Sequence, residues 1–519
     1  MTVSSHLARL MFLIIAAAGW LGWKANHAEI IFADGLRYID QAKQIAGGAT
    51  ARALFQAIDH PAYPIAIAAT HRMMPGSTAG DWVTAAQAAS VIGGVLLVVP
   101  LYLVAAEMFG GGAAWLAVVL SFLVPITGQV MADGLSESWF LFFFTFGVWA
   151  AIRFLRAGHF AWLPLTIACA ALAYWVRPEA LLLPAALVLA LMAIPLLRST
   201  RMNWSRWGAA MAFLVVGPAL LIAPIVASKG GIATKPAVGR VLGTMGRSAP
   251  SAVERQRPLK PGQTTAETYV LATRAMALAV RDAVTIPLLP LAVLGFLFAW
   301  PPGARNRMWI FLTILMVAWA AALIRLHATG GYCTPRHALI LAYPLIAAAA
   351  FGLQRLLALV RVPGRWGGAD PEARYRLGPI GVLASIAALG FAYRAELARP
   401  INHQFEGYRE AAFYLSIHVP PTDKTVDVTG WSLFYSDHPG YTFANLIEAM
   451  GDRSVCRVVV RDAHLEGPWE YCRQIRQLIG DRKPVKTFPT DREAKQSRVY
   501  VYDWVGEQTA QAPAPTVVK

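Results

Sequence analysis

The residues whose types and spacing best suit chemistry lie in one polar, acid-bearing stretch, Phe32 to Pro64, directly after the first apolar run. Asp34 opens it in Asp34-Gly35-Leu36-Arg37-Tyr38, and Asp59-His60-Pro61-Ala62-Tyr63-Pro64 closes it. A carboxylate here can take a proton from a hydroxyl, while neighbouring Arg and His side chains can hold an anionic group. The same residues admit a plainer use, with Asp34 as a helix N-cap and the Pro-rich cluster as a turn. Three later places carry the same kind of side chain. Asp133 and Glu137 are four apart, so a helix that begins early puts both carboxylates on one face, within reach of one cation or one basic group. Alternatively Asp133-Gly134 is a turn and Ser136 caps the next helix. Arg177 and Glu179 flank Pro178 between two apolar runs, either as a salt bridge or as ligand contacts, because charge near lipid is costly unless paired. Arg336 and His337 close Tyr332-Cys333-Thr334-Pro335-Arg336-His337, where the Arg fork suits phosphate but can also snorkel to an interface.

The elements that must position these residues are mostly membrane helices. The chain has 519 residues, 56% hydrophobic and 15% charged, with a mean hydropathy of +0.47. Such a composition excludes a soluble enzyme and predicts a mainly α, polytopic helix bundle. Apolar runs predict about eleven spans: 7–23, 82–106, 113–128, 138–152, 161–176, 180–197, 208–227, 284–300, 308–324, 338–357 and 378–393. The first reads as an uncleaved signal anchor. Within Phe32 to Pro64, Leu36, Ile39, Ala42 and Ala46 share a helical face that Arg37, Asp40, Lys43 and Gln44 avoid, which predicts an amphipathic helix lying along the membrane surface.

The formal charge of +16 is topological rather than a nucleic-acid footprint. Arg153 and Arg156, then Arg198, Arg201 and Arg206, then Arg305 and Arg307, then Arg355, Arg361, Arg365, Arg374 and Arg376 occupy alternate short loops. By the positive-inside rule that side is cytoplasmic, with the N-terminus inside and the C-terminus outside an inner (cytoplasmic) membrane. Every acidic cluster named above then falls on the external side. The loop from Ser228 to Asp282 is external and basic, and is suited either to holding something anionic or to plain solvation. After Arg394 the pattern becomes soluble, with strands expected at 425–429, 455–460, 485–488 and 498–502 and helices at 403–418, 443–450 and 469–479. The expected division is a membrane domain over 1–394, a small external α/β domain over 395–507 and a disordered tail over 508–519. No chemistry is expected of the α/β domain. Of the four cysteines, only Cys456 and Cys472 are placed to form a disulfide.

The order of these elements resembles the GT-C class of integral-membrane glycosyltransferases, most nearly the aminoarabinose transferases and protein O-mannosyltransferases. In those enzymes an Asp-x-x-Arg-Tyr type sequence opens a juxtamembrane helix in the first external loop, as Asp34-Gly35-Leu36-Arg37-Tyr38 does here. Asp59-His60-Pro61 looks like their acidic-basic-Pro element, with His as the basic member. Asp133 with Glu137 resembles the second acidic motif, and Arg177-Pro178-Glu179 and Arg336-His337 resemble recurrent Arg-bearing elements. The resemblance covers about residues 7 to 394 and is strongest in the first 180. It implies a polyprenyl-phosphate-linked sugar (undecaprenyl or dolichyl) as donor, transfer with inversion to a lipid, glycan or protein acceptor, and Asp34 as catalytic base. Arg37, Tyr38, His60, Tyr63, Arg177, Glu179, Arg336 and His337 would contact donor phosphate or substrate. Asp59, or Asp133 with Glu137, would hold a divalent metal if one is used.

The chemistry agrees with that implication, since a phosphate leaving group needs no acid partner and one carboxylate suffices. The rival reading is a transporter or flippase of lipid-linked intermediates. Transporters place ionisable residues near the midplane, often in repeated halves, and neither feature is visible here.

Overall fold

The computed structural model describes residues 3–49, 54, 57–197, 204–232, 264–299, 306–359, 361–362, 375–376, 378–467, 470–489 and 498–504. The apolar runs fold as helices because no water is available to satisfy backbone polar groups in lipid, so each must bond within its own segment. In chain order these are α1 (Val3–Asn26), α2 (Ala33–Ala46), α3 (Ala62–His71), α4 (Ala79–Phe109), α5 (Gly111–Leu123), α6 (Pro125–Ala132), α7 (Glu137–Ala157) and α8 (Trp162–Val176). There follow α9 (Leu182–Leu197), α10 (Trp204–Lys229), α11 (Thr265–Val284), α12 (Leu288–Ala299), α13 (Asn306–Gly330), α14 (Leu339–Leu359) and α15 (Gly378–Ala392). The chain is thus a multi-pass membrane protein. Among the described residues seven helices are long and apolar enough to cross a bilayer, or up to nine if each of two bent pairs is one span. Eleven were expected. The difference lies in α8 and α15, shorter apolar helices whose fifteen residues reach only about 22 Å against a hydrocarbon core of about 30 Å.

Both bent pairs have local causes. Between α5 and α6 the chain turns by 74°, where Pro125 has no N–H to continue the ladder and Val124 before it is extended (φ −77°, ψ 119°). Between α11 and α12 it turns by 90° at Thr285, a β-branched residue held at φ 74°, where L side chains crowd the backbone. Helix α11 corrects the sequence reading, which left 228–282 as loop. A capping box joins Thr264 and Glu267, and Ala272, Ala279, Ala283 and Val284 form its buried face. Those alanines contribute too little hydropathy to be seen against Glu267, Arg274 and Arg281. The basic residues Lys235, Arg240, Arg247, Arg255, Arg257 and Lys260 lie outside the described residues, as do Arg198, Arg201, Arg305, Arg365, Arg374 and the 508–519 tail.

Small residues set the closest helix contact. A Cβ on Gly295 of α12 would fall on the Ala348 carbonyl of α14, and one on Gly352 would fall on the Leu291 carbonyl. The two backbones therefore meet through glycine, as expected where packing rather than water drives association.

Beyond α15, short α16 (Arg394–Ala398) leads into the C-terminal domain: α17 (Gly407–His418), α18 (Trp431–Ser436), α19 (Leu446–Gly451), α20 (Asp462–Glu466) and α21 (Glu470–Ile479). A two-residue pair, β1 (Arg361–Val362) with β2 (Tyr375–Arg376), precedes α15. The domain's sheet has the order β4-β3-β5-β7-β6, from β3 (Lys424–Asp427), β4 (Gly440–Tyr441), β5 (Val455–Arg461), β6 (Lys486–Phe488) and β7 (Val499–Asp503). Strands β4 and β5 pair parallel to β3, and β7 pairs antiparallel to β5 and β6. The expected α/β arrangement is present, with β4 the strand too short to read in advance. Cys456 and Cys472, the two cysteines placed to pair, are not joined by a disulfide. On β5, Cys456 packs against the core that holds Tyr408 and Trp431. Cys472 rides on α21, whose Ile475 and Ile479 pack into the core on the other side of the sheet.

Candidate active site

Helix α2 begins after Phe32, which has extended backbone and no side-chain cap, so Asp34 is left free of a capping role and projects from the first turn. Its Oδ1 lies 3.0 Å from Arg37 Nη2, one turn along, and its Oδ2 accepts a 2.9 Å hydrogen bond from Arg336 Nη2. Arg37 Nε in turn donates to Asp59 Oδ2 at 3.1 Å. Arg336 sits on the 3-10 turn Pro335–Ala338 that opens α14, and its Nη1 stands 3.7 Å from Glu137 Oε1. Glu137 begins α7 and is 2.7 Å from Arg177 Nη1, while Arg177 Nη2 is 3.0 Å from Glu179. Asp59, Arg37, Asp34, Arg336, Glu137, Arg177 and Glu179 thus form one alternating chain of four carboxylates and three guanidinium groups. Burial works against the charge on Arg177, but Glu179 and Glu137 outweigh it and hold its pKa well above the ordinary arginine value. Asp34 keeps 24% of its side chain exposed against 6% for Glu137, so a hydroxyl can reach the first and not the second.

Gly134, at φ 65°, turns the chain between α6 and α7, so Asp133 and Glu137 stand on either side of a turn rather than on one helix face, yet Arg336 acts on both. Asp133 Oδ1 accepts from the Phe32 backbone N–H at 3.1 Å and from Asn402 Nδ2 at 2.8 Å. Burial pushes its pKa well above the carboxylate range, against the pull of those two donors and of Arg336. Ser136, expected as a cap, makes no cap bond and instead meets Tyr38 Oη at 3.1 Å. Tyr63 is fully buried, donating to the Ala86 carbonyl at 2.9 Å and meeting Ser90 Oγ at 2.7 Å. Its ring lies edge-on to Tyr38. His60 is buried edge-on to Tyr174, 5.0 Å between centroids. His337 Nδ1 meets Thr334 Oγ1 at 2.9 Å, and its carbonyl accepts from Trp319 Nε1 at 2.9 Å.

Glu137, Arg177, Glu179, Arg336 and His337 line the polar end of a cleft. The remaining wall is apolar, chiefly Phe140, Leu182, Trp319, Leu323 and Ile340. Two guanidinium groups above a greasy wall suit an anionic head with a hydrocarbon tail. The carboxylates are a poor cation site, because each faces guanidinium or N–H donors. Among the described residues no group of three or more His, Cys, Asp or Glu side chains converges as metal ligands would. The residues present do not fit a resident divalent cation.

Sequence reading missed the contribution of the C-terminal domain. Asn402 Nδ2 also donates to the Ile30 carbonyl at 2.9 Å, and Trp431 Nε1 donates to the Ile31 carbonyl at 2.7 Å. Ala28 and Ile401 form a parallel bridge, and Lys24 Nζ donates to the Leu397 and Arg399 carbonyls at 3.0 and 2.7 Å. The domain therefore grips the segment that leads into Asp34. At the far end of the bundle Glu107 pairs with Arg153 and Arg156; Arg153 and Arg156 lie on the last turns of α7, opposite its Glu137 end.

A family model described as dolichyl-phosphate-mannose-protein mannosyltransferase matches residues 61–222. No curated protein sequence matches the chain significantly. Among solved structures, ArnT from Cupriavidus metallidurans bound to undecaprenyl phosphate superposes with a TM-score of 0.56 at 10% identity, covering 96% of this chain and 98% of that one. The Archaeoglobus fulgidus oligosaccharyltransferase, tethered to an acceptor peptide with the NVT sequon, gives 0.56 at 13% identity over 89% and 70%. The same organism's AglB with an inhibitory peptide and a dolichol-phosphate gives 0.55 at 13% over 88% and 69%. At these identities the likeness is one of architecture: the chain has the fold of the GT-C class of integral-membrane glycosyltransferases.

Proposed function

We propose that the protein is a glycosyltransferase that moves a sugar from a polyprenyl phosphate, undecaprenyl or dolichyl, to a hydroxyl acceptor on a lipid, glycan or protein. The observation that carries this reading is the cleft in which Arg177 and Arg336 stand over an apolar wall while Arg336 also touches Asp34. Arg177 and Arg336 hold the phosphate and stabilise the charge that builds on it as the glycosidic bond breaks. Asp34 takes the acceptor proton, and attack from the face opposite the phosphate inverts the anomeric centre. Arg37, bridging Asp34 and Asp59, orients the base. Glu137 keeps the two cleft arginines apart and charged. Tyr63, buried in helix packing, supports α2 from behind rather than touching substrate, and no step needs a metal. The reaction faces the extracytoplasmic side of the inner membrane, with the N-terminus cytoplasmic and the C-terminal domain outside. The likeness to structures solved with undecaprenyl phosphate and a dolichol-phosphate supports the donor class.

The test is Asp34→Asn in membranes supplied with radiolabelled polyprenyl-phosphate sugars. Transfer to endogenous acceptor should fall by about 10³-fold or more, a typical value for loss of a general base with its positioning. Unchanged transfer removes Asp34 from the chemistry.

A further inference from the structure

Arg336 is the one group of the network that touches both the base and the cleft. Its backbone is anchored by the Thr334–His337 capping box at the head of α14, so its freedom is confined to the guanidinium. One nitrogen, Nη2, is held by Asp34 Oδ2 at 2.9 Å. The other, Nη1, is buried and has no hydrogen-bond partner among the described residues, with Glu137 Oε1 at 3.7 Å. A planar fork in this position is half engaged. It binds two oxygens of one anion far better than single oxygens of two. A phosphate entering the cleft offers such a pair of oxygens on the side where Arg336 has an ion pair with Glu137 but no hydrogen bond.

We infer that Asp34 and the donor phosphate compete for Arg336, so that binding of the donor releases the base. This rests on the cleft being the polyprenyl-phosphate site. While Arg336 and Arg37 both hold Asp34, its two oxygens face two cations and neither is a good proton acceptor. When the phosphate takes Arg336, Oδ2 is freed, and Arg37 retains Oδ1 at 3.0 Å and keeps the carboxylate aimed. The acceptor oxygen then bonds to the anomeric carbon, and the bond from that carbon to the phosphate oxygen breaks with its electron pair left on the phosphate. The acceptor proton passes to Asp34 Oδ2. Arg336, already on the phosphate, meets the second negative charge that bond breaking creates. Donor binding and base activation are thereby one event, and acceptor hydroxyls are not activated before a donor is seated.

The exchange is tested by saturation binding of tritiated undecaprenyl phosphate to the full-length protein in nanodiscs. Asp34→Asn keeps the shape of the side chain and removes its claim on Arg336. Its affinity should rise by about tenfold, the scale of a lost charge-assisted competitor, and Asp34→Ala should move the same way. Asp40→Asn, which removes an exposed charge from the same helix, should stay within about twofold of wild type. Unchanged or weaker binding by both Asp34 variants overturns the exchange while leaving the donor reading intact. An equal gain from Asp40→Asn also overturns it, since the effect is then only long-range charge. Wild-type protein that binds neither undecaprenyl nor dolichyl phosphate saturably overturns the donor reading, and the exchange with it.

Discussion

Asn402 offers the cleanest test of whether the C-terminal domain sets the geometry of Asp34. Its backbone is left-handed, φ 55°, so alanine there would add backbone strain, and Asn402→Gly removes the side chain without it. The substitution deletes two hydrogen bonds, to Asp133 at 2.8 Å and to the Ile30 carbonyl at 2.9 Å. Because burial favours the neutral form of Asp133, each is worth about 1 kcal/mol. Asp133, 4% exposed, is left with the Phe32 N–H and Arg336 nearby, so the full desolvation penalty is felt locally. A loss of about 2 kcal/mol corresponds to a rise of about 30-fold in the opening equilibrium of this segment. Hydrogen exchange should report that rise at the amides of Glu29, Phe32 and Gly35, which bond to Ile401, Asp133 and the Phe32 carbonyl. Undecaprenyl-phosphate affinity should change by less than about threefold, because neither Arg177 nor Arg336 contacts Asn402. Asn402→Asp, which replaces the amide donor by a buried acid facing Asp133, should open the segment at least as far. Unchanged exchange at these amides refutes the reasoning. So does a loss of lipid binding as large as the loss of protection, because cleft and entry segment would then be one unit.

Other expectations can be checked with simpler measurements. Arg177→Gln strips Glu137 of its 2.7 Å partner in a nearly closed site, so thermal stability in detergent should fall by an amount equivalent to about 3–5 kcal/mol; an unchanged melting temperature would show Glu137 already neutral. His464 is held neutral by burial, its pKa lowered to about 3. The unfolded chain takes up that proton near 6.5 and the folded one does not, so stability is full above 6.5 and is lost as pH falls toward 3. At pH 5 the loss is about 2 kcal/mol. His464→Gln should flatten that acid limb in denaturant melts of the full chain followed by proteolysis of the C-terminal domain. Gly352→Ala drives a methyl onto the Leu291 carbonyl, and should cost about 1–3 kcal/mol of thermal stability. Cys456 and Cys472 should each take a thiol label on denaturation without reductant, which a bonded pair would not.

Local order made the first part of the site readable. Asp34 and Arg37 are one turn apart on a helix whose apolar face, Leu36, Ile39 and Ala42, is visible in its spacing, and Arg177 and Glu179 are near neighbours. The β-branched runs of β5 and β7 gave away the sheet in the same way. What spacing cannot show is a contact with no period. Arg336 reaches Asp34 across 302 positions, and only the packed bundle brings them together. Asp133 and Glu137 share a helical spacing, but one left-handed glycine breaks the helix between them. Asn402 stands in a plain Pro-Ile-Asn-His stretch with no chemical signature, and its importance lies wholly in what it touches.

The parallel bridge between Ala28 and Ile401 has a meaning for how the molecule is made. Ile30 packs into the C-terminal core beside Phe405, Tyr408 and Trp431, so the loop before α2 is completed by residues synthesised much later, Asn402 following Ile30 by 372 positions. Until those residues arrive, the lead-in to α2 lacks its hydrogen-bond partners at Ile30, Ile31 and Asp133. Every helix lining the cleft precedes Asn402 in the chain, so a nascent or truncated protein keeps the groove and loses the fixed base. The C-terminal domain thus fixes the base last, and a chain cut before Asn402 keeps a lipid site without a working centre.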